Sequence, residues 1–186
     1  MRPDEIATWV KAHAEALPAI EPYGPRYRVS ATLTDGTVLS CVVESMKPVV
    51  ELAMRRFEQE KKGGIKAILG LMGGYPKIVE NFVTTGNCVN HYDIESLDIS
   101  RFAIPLARLR EVKGETSMGW TEFYATMTDG VEFCFGTSFY QEFFDMPPGY
   151  SGTDIRKIIP AVRSETRKYE KVFREKPFFT CYIDGL

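Results

Sequence analysis

The chain has 186 residues, and its 23 basic and 25 acidic side chains leave a formal net charge of −2, which argues against a protein dedicated to binding nucleic acid. Hydrophobic residues make up 44% of the chain and aromatic residues 12%, enough to bury a sizeable core in a single domain over residues 1–186. No apolar run reaches the roughly 20 residues of a membrane span and no signal-peptide pattern opens the chain, so we expect no membrane contact and a cytoplasmic location.

The first predicted element is a helix over residues 3–17. Pro3 suits the first turn of a helix, and Asp4 and Glu5 carry the negative charge that stabilises a helix N-terminus. Pro18 ends the helix. Helical spacing brings five apolar side chains onto one face: Ile6, Trp9, Val10, Ala14 and Leu17.

A β-hairpin is predicted around the sequence ATLTDG at residues 31–36. Asp35-Gly36 is typical of a two-residue type I′ turn, because both positions tolerate positive φ angles. Strand alternation then places apolar side chains on one face and polar ones, such as Arg28 and Thr32, on the other. A strand pair with one solvated face is typical of a position near a sheet edge.

A second helix is predicted over residues 48–62, where Gly63-Gly64 end it. The apolar segment IKAILGLM at residues 65–72 then lies between two glycine pairs. A short buried helix is the simpler interpretation of this segment, and a hinged lid is the alternative.

The stretch from residue 75 to residue 112 is rich in β-formers and holds the group of residues with the clearest chemical potential. His91 and Asp93 would share one face of a strand, where a carboxylate could orient an imidazole. Cys88 would lie on the opposite face, which argues against a thiolate pair or a shared metal site with His91. The chain has two histidines and no recognisable ligand spacing, so we expect neither a metal nor a cofactor.

Residues 123–150 form the most aromatic part of the chain, with nine aromatic side chains among 28 residues. Asp129-Gly130 predicts a second two-residue turn, which would pair Ala125 with Cys134 across the hairpin. Both faces of this hairpin are largely apolar, so we expect it to lie between two layers.

A short helical turn is predicted after this hairpin, over residues 139–146. In it Glu142 and Asp145 would fall on one face at i, i+3, and two carboxylates among aromatic rings could act as an acid and base pair. Beyond this turn we predict a helix from residue 160 to 176 and a final apolar strand over residues 177–183, inside a sheet.

The two hairpins share a motif, since ATLTDG and ATMTDG agree at five of six positions and begin 94 residues apart. One interpretation is an internal duplication with halves at 27–94 and 121–183, in which Cys88 and Cys181 end equivalent strands. The alternative is that Thr-Asp-Gly recurs because it suits such turns.

The cysteine pattern fits a reduced protein. The four cysteines, at positions 41, 88, 134 and 181, have no CxxC spacing and are widely separated. We therefore expect small buried hydrophobes in strands and no disulfide framework.

These elements predict an α+β fold in which helices flank an antiparallel sheet. The function favoured by the sequence is non-catalytic: an accessory protein, in the manner of inhibitor or immunity proteins, that binds an unidentified protein partner. Aromatic side chains that could serve this interface are Trp120, Tyr140 and Tyr150.

Two other functions stay open. A small-molecule-binding domain or hydrolase would place its pocket near the 123–150 hairpin and would use His91 with Asp93, or Glu142 with Asp145. A structural subunit of a homo-oligomer would associate through the edge of the first hairpin.

Overall fold

The computed structural model describes residues 1–18, 24–46, 87–112, 114–138, 141–161, 171–183 and 186. Within these ranges the chain forms two short helices, α1 (Pro3–His13) and α2 (Leu106–Leu109). Two 3-10 turns, His91–Asp93 and Gly152–Asp154, each lead directly into a strand. The strands are β1 (Ala16–Leu17), β2 (Arg26–Leu33), β3 (Val38–Met46), β4 (Cys88–Val89), β5 (Ile94–Asp98), β6 (Thr121–Met127), β7 (Glu132–Thr137), β8 (Ile155–Pro160), β9 (Val172–Arg174) and β10 (Phe179–Ile183).

The strands form two mixed sheets. In the first sheet the order is β1-β2-β3-β10-β4, and β5 pairs with β2 on the same side as β1. In the second sheet the order is β8-β6-β7-β9. The hairpins are antiparallel, but β10 runs parallel to both β3 and β4, and β9 runs parallel to β7. The fold is therefore rich in sheet and poor in helix, and the prediction of an antiparallel sheet is corrected to two mixed sheets.

Both hairpins close through a three-residue loop, not the predicted two-residue turn. In the second hairpin Met127 N donates to Val131 O at 2.8 Å, and Gly130 N donates to Met127 O at 3.0 Å. The first hairpin repeats both bonds at equivalent positions, Leu33, Gly36 and Thr37. Positive φ is confined to the glycine, 85° at Gly36 and 88° at Gly130, as in a type I turn followed by a left-handed residue.

This loop shifts the strand register by one residue from the prediction. Ala125 pairs with Phe133, and Cys134 pairs with Tyr124. Phe123, Ala125 and Met127 consequently face one core, while Tyr124 and Cys134 lie on the other face and are also buried. The expectation that both faces of this hairpin are covered is confirmed, although the partners across the strands differ.

The first hairpin lies inside its sheet and not near an edge. β2 has β5 and β1 on its outer side, and β3 has β10 on its outer side. The surface proposed for self-association through this hairpin is therefore already occupied.

Several elements differ in type or length from those predicted. The first helix ends at His13, and Ala16–Leu17 is a strand paired with β2. A C-terminal helix was expected over residues 160–176. Its first described residue, Pro160, ends β8 and its last part contains β9, whereas residues 162–170 lie outside the described residues. The segment Leu106–Leu109 is helical where a strand was expected. The predicted elements at 48–62 and 65–72 lie outside the described residues, whereas the final strand is confirmed between β3 and β4.

Each sheet has its own core, and a small cluster joins them. α1 covers the first sheet through Ile6, Ala7 and Val10, which pack with strand residues such as Val29 and Val42. Side chains of α2, the second hairpin and β8 form the core of the second sheet. Between the sheets lies a cluster of buried Cys41, Val43 and Phe143 with partly buried Phe102, Ala103 and Phe178.

The two sheets contain the same three-strand unit. In each, a hairpin is followed by a 3-10 turn and then by a strand antiparallel to the first hairpin strand: β2-β3-β5 in one sheet and β6-β7-β8 in the other. Asp93 O accepts from Thr34 N, and Asp154 O accepts from Thr128 N at the same place. The equivalent closing strands are thus β5 and β8. The expected equivalence of Cys88 and Cys181 is wrong, because β4 and β10 are neighbours in one sheet.

Candidate functional site

The predicted pair His91 and Asp93 lies in the 3-10 turn before β5, so strand alternation does not apply to it. His91 Nδ1 is 3.3 Å from Met1 O, and Asp93 Oδ2 accepts from Asn90 Nδ2 at 3.3 Å. The His91 side chain thus contacts the N-terminal residue, and the Asp93 side chain contacts its own turn. No group of three or more His, Cys, Asp or Glu side chains in the described ranges is arranged to hold a metal ion.

Glu142 and Asp145 lie in a non-helical segment over its described part, 141–146, so the expected helical i, i+3 pair is wrong. Glu142 forms an ion pair with Arg26 at 3.3 Å, and both side chains are largely buried. Asp145 is 4.0 Å from Lys176 and its side chain is half exposed. The two carboxylates thus have separate cationic partners, both different from the contacts of His91.

Two of the predicted interface aromatics have intramolecular contacts. The Trp120 ring lies against the α-carbon of Gly136 and beneath the Arg174 guanidinium at 4.8 Å, and its Nε1 donates to Glu122 at 2.7 Å. A side chain at Gly136 would collide with the indole, so glycine there makes room for the tryptophan.

Tyr150 fastens the turn of the second hairpin. Its hydroxyl donates to Asp129 Oδ2 at 2.6 Å, and its ring meets Phe133 edge to face. This hydrogen bond lowers the pKa of Asp129 and raises the pKa of Tyr150. Tyr140 lies outside the described residues.

A buried arginine connects the two sheets. Arg28 Nη1 donates to Ile104 O at 2.7 Å, and its Nη2 forms an ion pair with Glu15 at 3.3 Å. Glu15 also accepts from Leu106 N at 2.9 Å, so a single carboxylate holds both the arginine and the start of α2. Burial lowers the pKa of Arg28, a cost that Glu15 and Glu142 partly offset.

Beside this junction lies a groove of about 320 Å³, whose apolar side is formed mainly by α2 and the residues after β1. The Arg26–Glu142 ion pair and the exposed cation of Arg110 give it a polar side. It is lined by Leu17, Pro18, Arg26, Leu106, Leu109, Arg110, Gln141 and Glu142.

Sequence reasoning missed a fully buried carboxyl group on β3. Glu44 has no exposed surface, and it pairs in register with Tyr27 and Cys181. The Cys181 thiol offers it only a weak sulfur hydrogen bond, so neither oxygen has a conventional partner among the described residues. Burial raises the pKa of Glu44 to about 7. Strand alternation does mark position 44 as inward-facing, which is the signal that could have found it.

The outer edge of β5 is the surface with the clearest capacity to bind. Leu33 N donates to Thr37 O, directly before β3, and Thr34 N donates to Asp93 O on the opposite side. Because N–H groups alternate in direction along a strand, the N–H of Ala31 also points toward β3. Ala31 and Leu97 opposite it therefore form a pair without hydrogen bonds between them. The N–H and C=O of Leu97 therefore point away from the sheet. No described residue pairs with this side of β5.

The equivalent edge in the second sheet is closed. Ile158 occupies the place of Leu97, opposite Ala125, and its outward N–H donates to Glu111 Oε2 at 2.8 Å. Pro160 stands at the next outward position and has no N–H. A carboxylate cap and a proline are two of the devices by which proteins prevent unwanted pairing at a sheet edge.

Searches against protein-family models, curated proteins and solved structures found no significant match to this chain.

Proposed function

We propose that the protein is a non-catalytic binding protein, of the inhibitor or immunity kind, whose protein partner adds an extended segment to the edge of β5. Main-chain pairing of this type gives affinity through backbone hydrogen bonds and takes specificity from the side chains beside them. The observation that carries the proposal is the outward N–H and C=O of Leu97 on a strand whose counterpart is closed.

Exposed apolar side chains near this edge support the same function. Tyr92 is 65% exposed directly before β5, Ile99 is 44% exposed directly after it, and Val38 is 63% exposed beside the first turn. The bond from Thr34 N to Asp93 O holds this turn against the start of β5. A partner strand on β5 would thus have apolar surface to cover at both ends of the strand.

A proline scan of the edge tests this function. Ile99 is equivalent to Pro160, so the second sheet shows that the strand accepts proline at this place. Among the described residues the N–H of Ile99 donates to the carboxylate of its neighbour Asp98, so Ile99→Pro costs the fold little. It also denies the edge an N–H that a partner strand could take over from Asp98. Ile99→Val is the matched control, because it keeps the N–H and the β-branched shape.

Affinity capture from the native cell extract should be run with the tagged wild type and both variants. We expect one protein in stoichiometric amount with the wild type and with Ile99→Val, and its loss with Ile99→Pro. Equal capture by all three forms, or no captured protein, would overturn the proposed function. We keep the cytoplasm as the expected compartment, where the four cysteines, which form no disulfide among the described residues, would stay reduced.

The groove beside Arg26 and Glu142 supports a second candidate, a site for a small apolar molecule that carries a carboxylate. Leu106 and Leu109 would contact its apolar part, and Arg110 would meet its charge. A thermal-shift screen with aliphatic and aromatic carboxylic acids tests it. Stabilisation of the wild type that is absent in Arg110→Ala would favour this site, and no stabilisation by any acid would exclude it.

A further inference from the structure

We propose that the segment that pairs with β5 is a basic strand of another protein and not a second copy of this chain. The inference rests on the proposed function and names the class of its partner. Its basis is the charge along the edge: Glu95 and Asp98 are exposed on either side of Leu97, and Ser96 between them is exposed and neutral. Opposite charges across a strand pair stabilise it and like charges destabilise it.

The charge pattern argues against pairing between two copies of β5. Antiparallel pairing centred on Leu97 would set Ser96 opposite Asp98 of the other copy and Glu95 opposite Ile99. Four carboxylates would then lie in a ladder of five residue pairs, with no cation of β5 to offset them. Electrostatic repulsion of this kind suppresses the wrong partner.

The second sheet shows which charge would complement this edge. Each closing strand has a one-residue β-bulge at the same place, at Glu95 in β5 and at Arg156 in β8. Arg156 is therefore equivalent to Glu95, and Lys157 is equivalent to Ser96. The exposed polar side chains of β8 are thus basic and those of β5 are acidic or neutral, with an exchange of charge at the position of Glu95 and Arg156. β8 would suit β5 in charge, but Glu111 occupies the N–H of Ile158 and Pro160 supplies none. The chain therefore prevents head-to-tail pairing with itself and leaves the acidic edge free for a basic strand from elsewhere.

A peptide-binding experiment tests the charge preference directly. The probe is a fluorescent peptide of about eight residues, a typical strand length, in which lysine alternates with valine and threonine. Matched peptides replace every lysine with glutamate or with serine. We expect the lysine peptide to bind about tenfold or more tightly than the serine peptide, with an affinity that falls as salt rises. The glutamate peptide should not bind.

Variants of the protein assign this binding to β5. Ile99→Pro should abolish it and Ile99→Val should preserve it. The double variant Glu95→Lys with Asp98→Lys should reverse the preference, so that the glutamate peptide binds in place of the lysine peptide. Asp4→Lys with Glu115→Lys is the matched control, because it makes the same change in net charge at exposed positions elsewhere.

Each other outcome overturns the inference in a distinct way. If serine and lysine peptides bind equally and Ile99→Pro abolishes both, the edge pairs without charge preference, and the proposed function stands while the inference fails. If sedimentation shows a dimer of the free protein that Ile99→Pro dissociates, the occupant is a second copy. If no peptide binds, the inference fails, and the capture experiment decides separately whether a protein partner exists.

Discussion

The two sheets build the same three-strand unit and finish its edge in opposite ways. In the second sheet the closing strand β8 ends in proline, and its outward N–H is held by Glu111. In the first sheet the closing strand β5 has no proline, and the outward N–H of Leu97 has no acceptor among the described residues, although that of Ile99 is held by the adjacent Asp98. Glu95 of β5 is acidic where its counterpart Arg156 in β8 is basic. Because the local backbone is the same, the difference lies in the side chains that the sequence supplies at the edge.

This comparison separates requirements of folding from features left for binding. Both turns need an Asp-Gly pair, both closing strands need a buried apolar residue at two equivalent positions, and both sheets need a covered face. The unit does not require an unpaired edge, since the equivalent edge in the second sheet is closed. An unpaired edge invites aggregation, which the proposed partner strand would prevent.

Among equivalent positions of the two sheets, we expect the largest difference in the stability lost on substitution with alanine at the two 3-10 turns. His91 in the first turn corresponds to Gly152 in the second, where an added Cβ would lie 2.1 Å from the Ala103 backbone oxygen. Gly152→Ala should therefore lower the free energy of unfolding by about 3 kcal/mol, because a backbone atom must move. His91→Ala should cost less than about 1 kcal/mol. Urea denaturation of both variants measures this, and equal losses would contradict the comparison of the two turns.

The second-largest effect concerns Glu44, whose counterpart in the second sheet is Thr137. The folded state holds the pKa of Glu44 at about 7, above its usual value of 4.5, so folding favours the protonated acid. Stability should thus be unaffected by this group below about pH 4.5, should fall by about 3 kcal/mol as pH rises from about 4.5 to about 7, and should level off above that. Glu44→Gln should remove this loss, which thermal denaturation at about pH 5 and pH 8 would show. A variant that is less stable than the wild type at pH 8 would sink this account.

A third experiment makes the closed edge resemble the open one. Glu111→Ala frees the Ile158 N–H, and Pro160→Thr restores a donor at the end of β8. Basic β8 should then pair with acidic β5 of another copy, so sedimentation at tens of micromolar should show concentration-dependent association. Adding Ile99→Pro to this double variant should restore the monomer. Association that survives Ile99→Pro would mean that the copies meet through another surface.

The smallest effect is expected at the two hairpin turns. Asp35 Oδ1 accepts from Thr37 N, and Asp129 Oδ1 accepts from Val131 N, so each aspartate holds the same loop. Asp129 also accepts from the Tyr150 hydroxyl, a contact that the first turn lacks among its described neighbours. Tyr150→Phe should reduce the difference in melting temperature between Asp129→Ala and Asp35→Ala toward zero. An unchanged difference would show that the tyrosine adds nothing to the turn.

Sequence patterns predicted the features whose causes are local. The Asp-Gly pairs located both hairpins, the charged first turn and Pro3 located α1, and the apolar run at the C-terminus located β10. The register was wrong by one residue because Asp-Gly also suits a three-residue loop, and only the bonds at Met127 and Val131 distinguish the two.

Features that depend on distant segments were not predictable in this way. β10 pairs parallel with β3 although well over a hundred residues separate them, and no periodicity reports such a pair. The open edge at Leu97 became visible only when β5 was placed beside β2, and the cap on Ile158 comes from Glu111 in another segment. The predicted site residues were chosen by chemical type, and in the structure most of those that are described form intramolecular ion pairs and hydrogen bonds.

Among the described residues the β5 edge is unpaired while the β8 edge is closed, and amide hydrogen exchange of two residues tests this difference most directly. Both N–H groups lie opposite an alanine of the neighbouring strand, but only that of Ile158 has an acceptor among the described residues. Rapid exchange at Leu97 and slow exchange at Ile158, with Leu97 becoming protected when the lysine peptide is added, is the predicted result. Equal protection of the two amides in the free protein would contradict the claim, because it would mean that the β5 edge is already covered.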